Sequence, residues 1–404
     1  MRRCALVLTL ITWHSIASAS DGGIYQLLQQ RMGLMKAVAA HKWLHHLPIE
    51  DVDRETMVIK AVTYRGLRYG VTARSLSDLF LAQISAAKEI QRYWFSTWRR
   101  TSPPNEAPDL ETELRPALTA LGTAIVDALA LESPNSEEAS NVIEAKGLSQ
   151  ATREQLLSAV RAIEYYDNRL EQILDVKYLR VGTTGDYAPF SFHSPHNDGL
   201  TGIDVDLAFN LAQTLGVEVK FVTTTWPSLT EDLLASQFDI AMSGVSRNAE
   251  RQQIGYFSLP YHRGGKTPIS RCVDKERFAN FELIDRSGTR VIVNPGGTNM
   301  RFVEQRIRHA EVIVHNDNRT IFGELVSGRA DVMVTDRIEV QLKTRLNPTL
   351  CSTMPKSNFT VQDKAYFMPK DRVLKQAVDN WLRTRLFDGT VAELFFRHLQ
   401  QPLK

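Results

Sequence analysis

The hydrophobic period of the chain changes once, near Tyr178, and that change decides what the chain can fold into. From Asp21 to about Leu174, apolar residues recur every three to four positions. Ile24, Leu28, Met32, Met35 and Ala39 form one such set. Leu76, Phe80, Ile84, Ala87, Ile90 and Trp94 form a second, and Leu114, Leu118, Leu121, Ile125 and Leu129 a third. This spacing puts each set on one stripe of a helix, and strand-like alternation is almost absent. From Tyr178 onward, short β-branched runs (YLRVGTT, VEVKFVTT, FDIAMSG, RVIVNPGG, EVIVHN, ADVMVTD) alternate with helical stretches such as DVDLAFNLAQTLG and TNMRFVEQRIRHA. A βαβ series implies largely parallel sheets with helices on both faces. Two groups, Tyr178–Arg263 and Thr289–Asp336, predict two α/β lobes with a cleft between them.

The chain has 404 residues, room for about two to four domains. The helical half is broken by the loop Thr101–Asp109, after which Thr112 is the expected N-cap and Pro116 falls in a first turn, where proline is tolerated. A last helix is expected from about Ser149 to Leu174, with Leu156, Val160, Ile163 and Leu170 on its apolar side. No Gly/Ser-rich linker follows it, so a stiff junction is expected.

Met1-Arg2-Arg3, the apolar run Cys4–Trp13 and Ala17-Ser18-Ala19 follow the three-part grammar of a secretory signal, expected over residues 1–19. A buried N-terminal helix is the alternative. If Cys4 leaves with the signal, Cys272 and Cys351 remain. In an exported chain they suggest one disulfide, two free thiols being the alternative. The net charge of +2 excludes a dedicated nucleic-acid binder, which carries a basic excess.

In the helical half, Arg31 and Lys42 are eleven residues apart, which leaves them about 20° from eclipse on a helix. Arg54, Arg115 and the neutral donor Gln91 lie on other expected helices. Cations from several helices with one neutral donor can cage a small dianion; for any one of them a solvated surface position is the plainer reading. The run AAHKWLHHLPIEDVDR (Ala39–Arg54), with QQRM before it and AQISAAKEIQ after it, resembles the secreted subclass of all-helical chorismate mutases over about residues 21–165. The resemblance implies that Arg31, Arg54 and Arg115 bind the two carboxylates of chorismate. It also implies that Lys42 and Gln91 donate to the ether oxygen that gains charge as the C–O bond breaks. Some members carry Glu at the position of Gln91.

In the α/β half, NPGGTNMRF (Asn294–Phe302) is a Gly-rich turn opening a helix, whose N–H groups suit a carboxylate. Arg251 is suited to the same kind of group. The segments TTGDYAPFSF, TTWPSL, FDIAMSG, GGKTPI, VNPGGTN, TIFGELVSGRADVMVTDRIE and DKAYFMP resemble the amino-acid-type periplasmic solute-binding proteins. They resemble still more their catalytic offshoot, the exported cyclohexadienyl (prephenate/arogenate) dehydratases, over about residues 168–404, with both Cys272 and Cys351 included. The solute-binding resemblance implies that Arg251, assisted by Ser246 and Thr298, clamps a carboxylate and that Asp336 faces the amino end of a ligand. The dehydratase resemblance makes Glu339 the general acid and places Lys266, Asp186, Trp226, Asn294 and Asn299 at the same site.

The expected architecture is therefore multidomain: an all-α helical domain over residues 20–167, then a two-lobed α/β periplasmic-binding-protein-like domain over 168–404. Lobe 1 is expected at about 178–268 and 365–404, lobe 2 at about 269–364. The expected function is an exported, bifunctional phenylalanine-biosynthesis enzyme acting on chorismate and then on prephenate or arogenate. No cofactor, metal, nucleic acid or membrane partner is expected after signal removal, and a homo-oligomer is. The alternative is a mutase fused to a non-catalytic solute receptor.

Overall fold

The computed structural model describes residues 23–131, 143–193 and 199–400. The expected signal segment lies outside these residues. The chain divides into two compact units, Met1–Tyr166 and Asp167–Lys404. Among the described residues no helix is long and apolar enough to cross a membrane.

The first unit is helical: α1 (Ile24–Gly33), α2 (Met35–Leu44), α3 (Val52–Gly66), α4 (Ala73–Trp98), α5 (Arg115–Leu129) and α6 (Gln150–Arg161). Polar caps set several starts. Asp51 accepts from the Arg54 amide at α3, and Thr72 from the Ser75 amide at α4. The long α4 is the spine; Leu76, Leu79, Phe80, Ala86 and Ile90 pack into one core with Leu28, Met32, Ile125, Val126, Leu156 and Val160.

Two local expectations are corrected. The cap before α5 is Asp109, not Thr112: its Oδ1 accepts from the Glu111 and Thr112 amides, and a wide helical turn (Leu110–Leu114) precedes Arg115. The helix expected over Ser149–Leu174 is two helices. After Ala162 the backbone turns to pair with the α3–α4 connection: the Thr72 amide donates to the Glu164 carbonyl, and the Tyr166 amide to the Gly70 carbonyl. Asn168 then caps a new helix, α7 (Arg169–Val176), through the Glu171 amide. Ile163 is buried in the helical core, whereas Ile173 is buried in the core of the second unit.

The second unit continues with β1 (Tyr178–Thr183), β2 (Asp186–Tyr187), β3 (Ser191–His193), β4 (Leu200–Thr201), α8 (Ile203–Leu215), β5 (Glu218–Thr223), α9 (Leu229–Leu234), β6 (Ile240–Ala241), α10 (Ala249–Ile254), β7 (Tyr256–Phe257) and β8 (His262–Gly264). The chain then crosses to the second lobe: β9 (Lys266–Arg271), α11 (Phe281–Ile284), β10 (Arg290–Val293), α12 (Gly297–Arg306), β11 (Glu311–Val314), α13 (Ile321–Val326), β12 (Val332–Asp336), α14 (Arg337–Leu346) and β13 (Leu350–Ser352). It returns through β14 (Gln362–Lys364) and β15 (Phe367–Met368) and ends in α15 (Arg372–Phe387) and α16 (Thr390–Gln400).

Lobe 1 holds the sheet β5-β1-β6-β15-β7 and lobe 2 the sheet β11-β10-β12-β9-β13. Both sheets are mixed, which corrects the largely parallel expectation. The βαβ strands are parallel (β5-β1-β6 and β11-β10-β12), but β15 runs against β6, and β9 against β12. These reversed strands flank the two crossings between lobes. Cys272 and Cys351 are joined in a disulfide at the edge where β9 pairs with β13.

Candidate active sites

Each unit contains a cavity lined by residues that the sequence singles out. In the helical unit it measures about 360 Å³, and Arg31, Lys42, Arg54, Gln91 and Arg115 all line it, from five different helices. The apolar positions that the core leaves half-buried, Ile84, Ala87 and Leu118, line it too. So part of each helical stripe packs the core and part walls the cavity.

The cations are held by the protein's own acceptors. Arg31 donates to the Leu118 carbonyl at 2.7 Å, and burial, then the nearby Arg54, pushes it down to about 10. It therefore stays charged at neutral pH. Lys42 donates to the Ile49 carbonyl at 2.6 Å, and burial lowers its pKa against the opposing pull of Asp51. Arg54 reaches the Thr119 hydroxyl. Arg115 is braced by Asp51 at 2.9 Å and by Glu111. Gln91 donates to the Ala87 carbonyl at 3.1 Å, and its second hydrogen bond is a long one, to the weakly accepting Met35 sulfur. A stronger acceptor can replace that sulfur. Asp51 and the Lys88–Glu55 pair also belong to the cavity; their spacing within helices gave no sign of it.

The second cavity lies between the lobes. Trp226, Ser246, Arg251, Lys266, Asn294, Thr298, Asn299 and Asp336 line it, as do Tyr187, Asn318 and Lys364, which sequence reasoning missed. It is narrow, with a free volume of about 20 Å³, enough for roughly one water. The Gly-rich turn of lobe 2 rests on lobe 1: a Cβ at Gly296 would fall 2.7 Å from the Pro227 nitrogen.

Two expected residues stand behind the lining. Asp186 accepts from Trp226 Nε1 at 3.1 Å. Glu339, buried on α14, accepts from the Thr335 hydroxyl at 2.6 Å. Thr335 accepts in turn from Asn299 Nδ2 at 3.1 Å, and the other amide atom of Asn299 accepts from Lys266. A chain of hydrogen bonds thus links the carboxyl to the cavity wall. Burial raises Glu339 to about 7, against the pull of Lys343 and the Thr335 bond. A carboxyl poised there can hold a proton at neutral pH and give it up.

Asp336 lines the cavity with its carboxylate already engaged. It is held by Lys266 at 2.9 Å, by Lys364 at 2.6 Å and by the Tyr187 hydroxyl. These cations keep it ionised despite burial and hold it well below the usual carboxylate range. Lys364 also donates to Ser246. Its one sign in the sequence is a lysine in DKAYFMP, a run that otherwise reads as core.

A two-lobed α/β fold with a cation-lined cleft defines a solute-binding-protein architecture, here preceded by a helical unit with a cation cage. Residues 179–401 match the family model of bacterial extracellular solute-binding proteins, family 3, and residues 17–92 that of chorismate mutase type II. The chain belongs to the first family through its second unit and to the second through its first. The cyclohexadienyl dehydratase of Pseudomonas aeruginosa is 47% identical over 226 residues, which are 56% of this chain and 84% of that protein. The monofunctional chorismate mutase of Enterobacter agglomerans is 31% identical over 159 residues, 37% of this chain and 87% of that one. Among solved structures, the ancestral amino acid-binding protein AncCDT-1, a precursor of cyclohexadienyl dehydratase, is 34% identical with a TM-score of 0.53, covering 57% of this chain and 99% of its own.

Proposed function

We propose that the chain is a bifunctional enzyme of phenylalanine biosynthesis. Its first unit rearranges chorismate to prephenate. Its second dehydrates and decarboxylates prephenate to phenylpyruvate, or arogenate to phenylalanine. The observation that carries the reading is the pairing of a five-helix cation cage with an inter-lobe cavity backed by the buried carboxyl of Glu339.

The first reaction is a unimolecular rearrangement and needs no nucleophile or base. Arg31, Arg54 and Arg115 hold the two carboxylates and fold the substrate. Lys42 and Gln91 donate to the ether oxygen as its bond breaks, so stabilisation is greatest in the transition state. In the second reaction Arg251 and Lys266 hold carboxylates. Glu339 gives its proton, through Thr335 or directly once substrate is seated, to the departing ring hydroxyl. The electron pair of the breaking C–CO2 bond enters the ring, water and CO2 leave, and Glu339 regains a proton from solvent.

The rival reading, a receptor fused to a mutase, has no use for a proton donor behind the cavity. The deciding experiment supplies chorismate to the purified protein and follows prephenate and then phenylpyruvate. If prephenate accumulates without giving phenylpyruvate, and arogenate made from it by an added aminotransferase and amino donor is not converted either, the receptor reading stands. Export to the periplasm through residues 1–19 and assembly as a homo-oligomer belong to the same proposal. N-terminal sequencing of the secreted protein and light scattering test them.

A further inference from the structure

The inter-lobe cavity is rich in donors, and most acceptors in its lining are taken. Arg251, Lys266 and Lys364 can only donate, and the Ser246 hydroxyl accepts from Lys364. The amide oxygen of Asn299 accepts from Lys266, and that of Asn294 accepts from Asn299. Among the described residues, two buried side-chain oxygens of the lining accept no hydrogen bond, Asp336 Oδ1 and Asn318 Oδ1. The first stands 2.9 Å from the Lys266 ammonium. The second is a neutral amide oxygen with no such neighbour to account for it.

Asn318 precedes α13 in lobe 2 and is only 4% exposed. Its Nδ2 crosses the cleft and donates at 3.1 Å to the carbonyl of Asp186, on β2 of lobe 1. A carbonyl can only accept, so this bond fixes which atom of the amide faces lobe 1 and leaves the oxygen for a ligand. A buried acceptor without a donor is costly, and a ligand that supplies the donor removes that cost. Ionised prephenate carries two carboxylates, a ketone and a ring hydroxyl. The hydroxyl is its one hydrogen-bond donor, and arogenate carries the same group.

We infer that Asn318 is a further catalytic residue of the dehydratase: its Oδ1 accepts from the ring hydroxyl of the substrate and turns a lone pair of that oxygen toward the proton of Glu339. The hydroxyl keeps its own hydrogen throughout. Glu339 adds a second, the C–O bond breaks with its electron pair leaving on water, and the pair of the C–CO2 bond enters the ring. As the oxygen takes up the proton, its O–H becomes a stronger donor, so the bond to Asn318 tightens in the transition state. The same amide bridges to Asp186, so the acceptor is set in place when the lobes are closed. The inference rests on the dehydratase reading above and deepens it.

The test compares the full chain with its Asn318→Leu variant, which keeps the size of the side chain and deletes both polar atoms. It measures kcat/KM on whichever of purified prephenate and arogenate the unaltered protein converts, and the inhibition constant of phenylpyruvate, which lacks the ring hydroxyl. The loss in kcat/KM should exceed any loss in phenylpyruvate affinity by at least about tenfold, the scale of one buried hydrogen bond. A smaller gap overturns the inference: equal losses would make Asn318 a bridge between the lobes and no more, and leave the dehydratase reading standing. Should the variant not fold, the unaltered protein decides through two saturated-ring dicarboxylate inhibitors that differ only in the ring hydroxyl. The hydroxylated one should bind at least about tenfold more tightly, and a smaller difference overturns the inference. Conversion of neither substrate by the unaltered protein overturns the dehydratase reading and this inference with it.

Discussion

The Thr335 hydroxyl lies 2.6 Å from Glu339 Oε2 and takes its other hydrogen bond from Asn299, a residue of the cavity wall. The carboxyl is thus connected to the cavity without lining it. Because Glu339 must be protonated to act as an acid and is poised at about 7, dehydratase activity should be full at mildly acidic pH and fall as pH rises through neutrality. Glu339→Gln should remove that pH limb and lower kcat by about a hundredfold to ten-thousandfold, the usual contribution of a general acid. Substrate binding and mutase turnover should be retained. A full rate of phenylpyruvate formation by this variant would mean that the acid lies elsewhere.

The hydroxyl can be tested apart from the carboxyl. Thr335→Val keeps the shape of the side chain and deletes its bonds to Glu339 and Asn299. The bond to Glu339 favours the ionised form, so its loss should move the pH limb upward. At the same time kcat should fall by roughly tenfold or more, because the proton donor is no longer positioned. A variant with lower kcat and an unmoved pH profile would show that Thr335 is only a packing residue.

What the sequence made legible, and what it hid, follows from the range of the interactions. The five cage residues could be named because motif and helical spacing carry them, and they meet in one cavity. The partners of Asp336 were hidden because Lys364, one of the cations that hold it, lies 28 residues further on, in a strand that returns toward the other lobe. Mixed sheets were missed for the same reason: strand periodicity reports which face is buried, not the direction in which a crossing strand enters. The break after Ala162 was missed because Ile163 and Leu170 continue the helical period while the backbone between them pairs elsewhere.

In the helical unit, Gln91 donates in the same form at every pH, so the mutase should show no acid-requiring limb. Gln91→Glu should create one: activity kept at low pH, where Glu can donate, and lost by at least about tenfold above neutrality. Burial lowers Lys42, so the alkaline fall of the unaltered mutase should begin below the range of an ordinary lysine. Lys42→Ala should abolish turnover while dehydratase activity on supplied prephenate is unchanged. A mutase rate that still declines from neutral pH in the unaltered protein would place the titrating group outside this pair.

Substrate cannot enter a free volume of about 20 Å³, so the lobes must separate to admit it and close again to align it. Closure seats Gly296, at φ 67°, against Pro227, and a Cβ there would meet backbone rather than a yielding side chain. Gly296→Ala should therefore hold the lobes apart. Part of the effect is local strain, since alanine is disfavoured at positive φ by roughly 1 kcal/mol. The larger effect should be on closure: a rise in KM and a loss of kcat together for the dehydratase, of about tenfold or more in kcat/KM, with the mutase untouched. Small-angle scattering with and without phenylpyruvate measures closure directly. The unaltered protein should contract on binding and Gly296→Ala should contract less; equal contraction in both would show that the turn yields and that Gly296 does not limit closure.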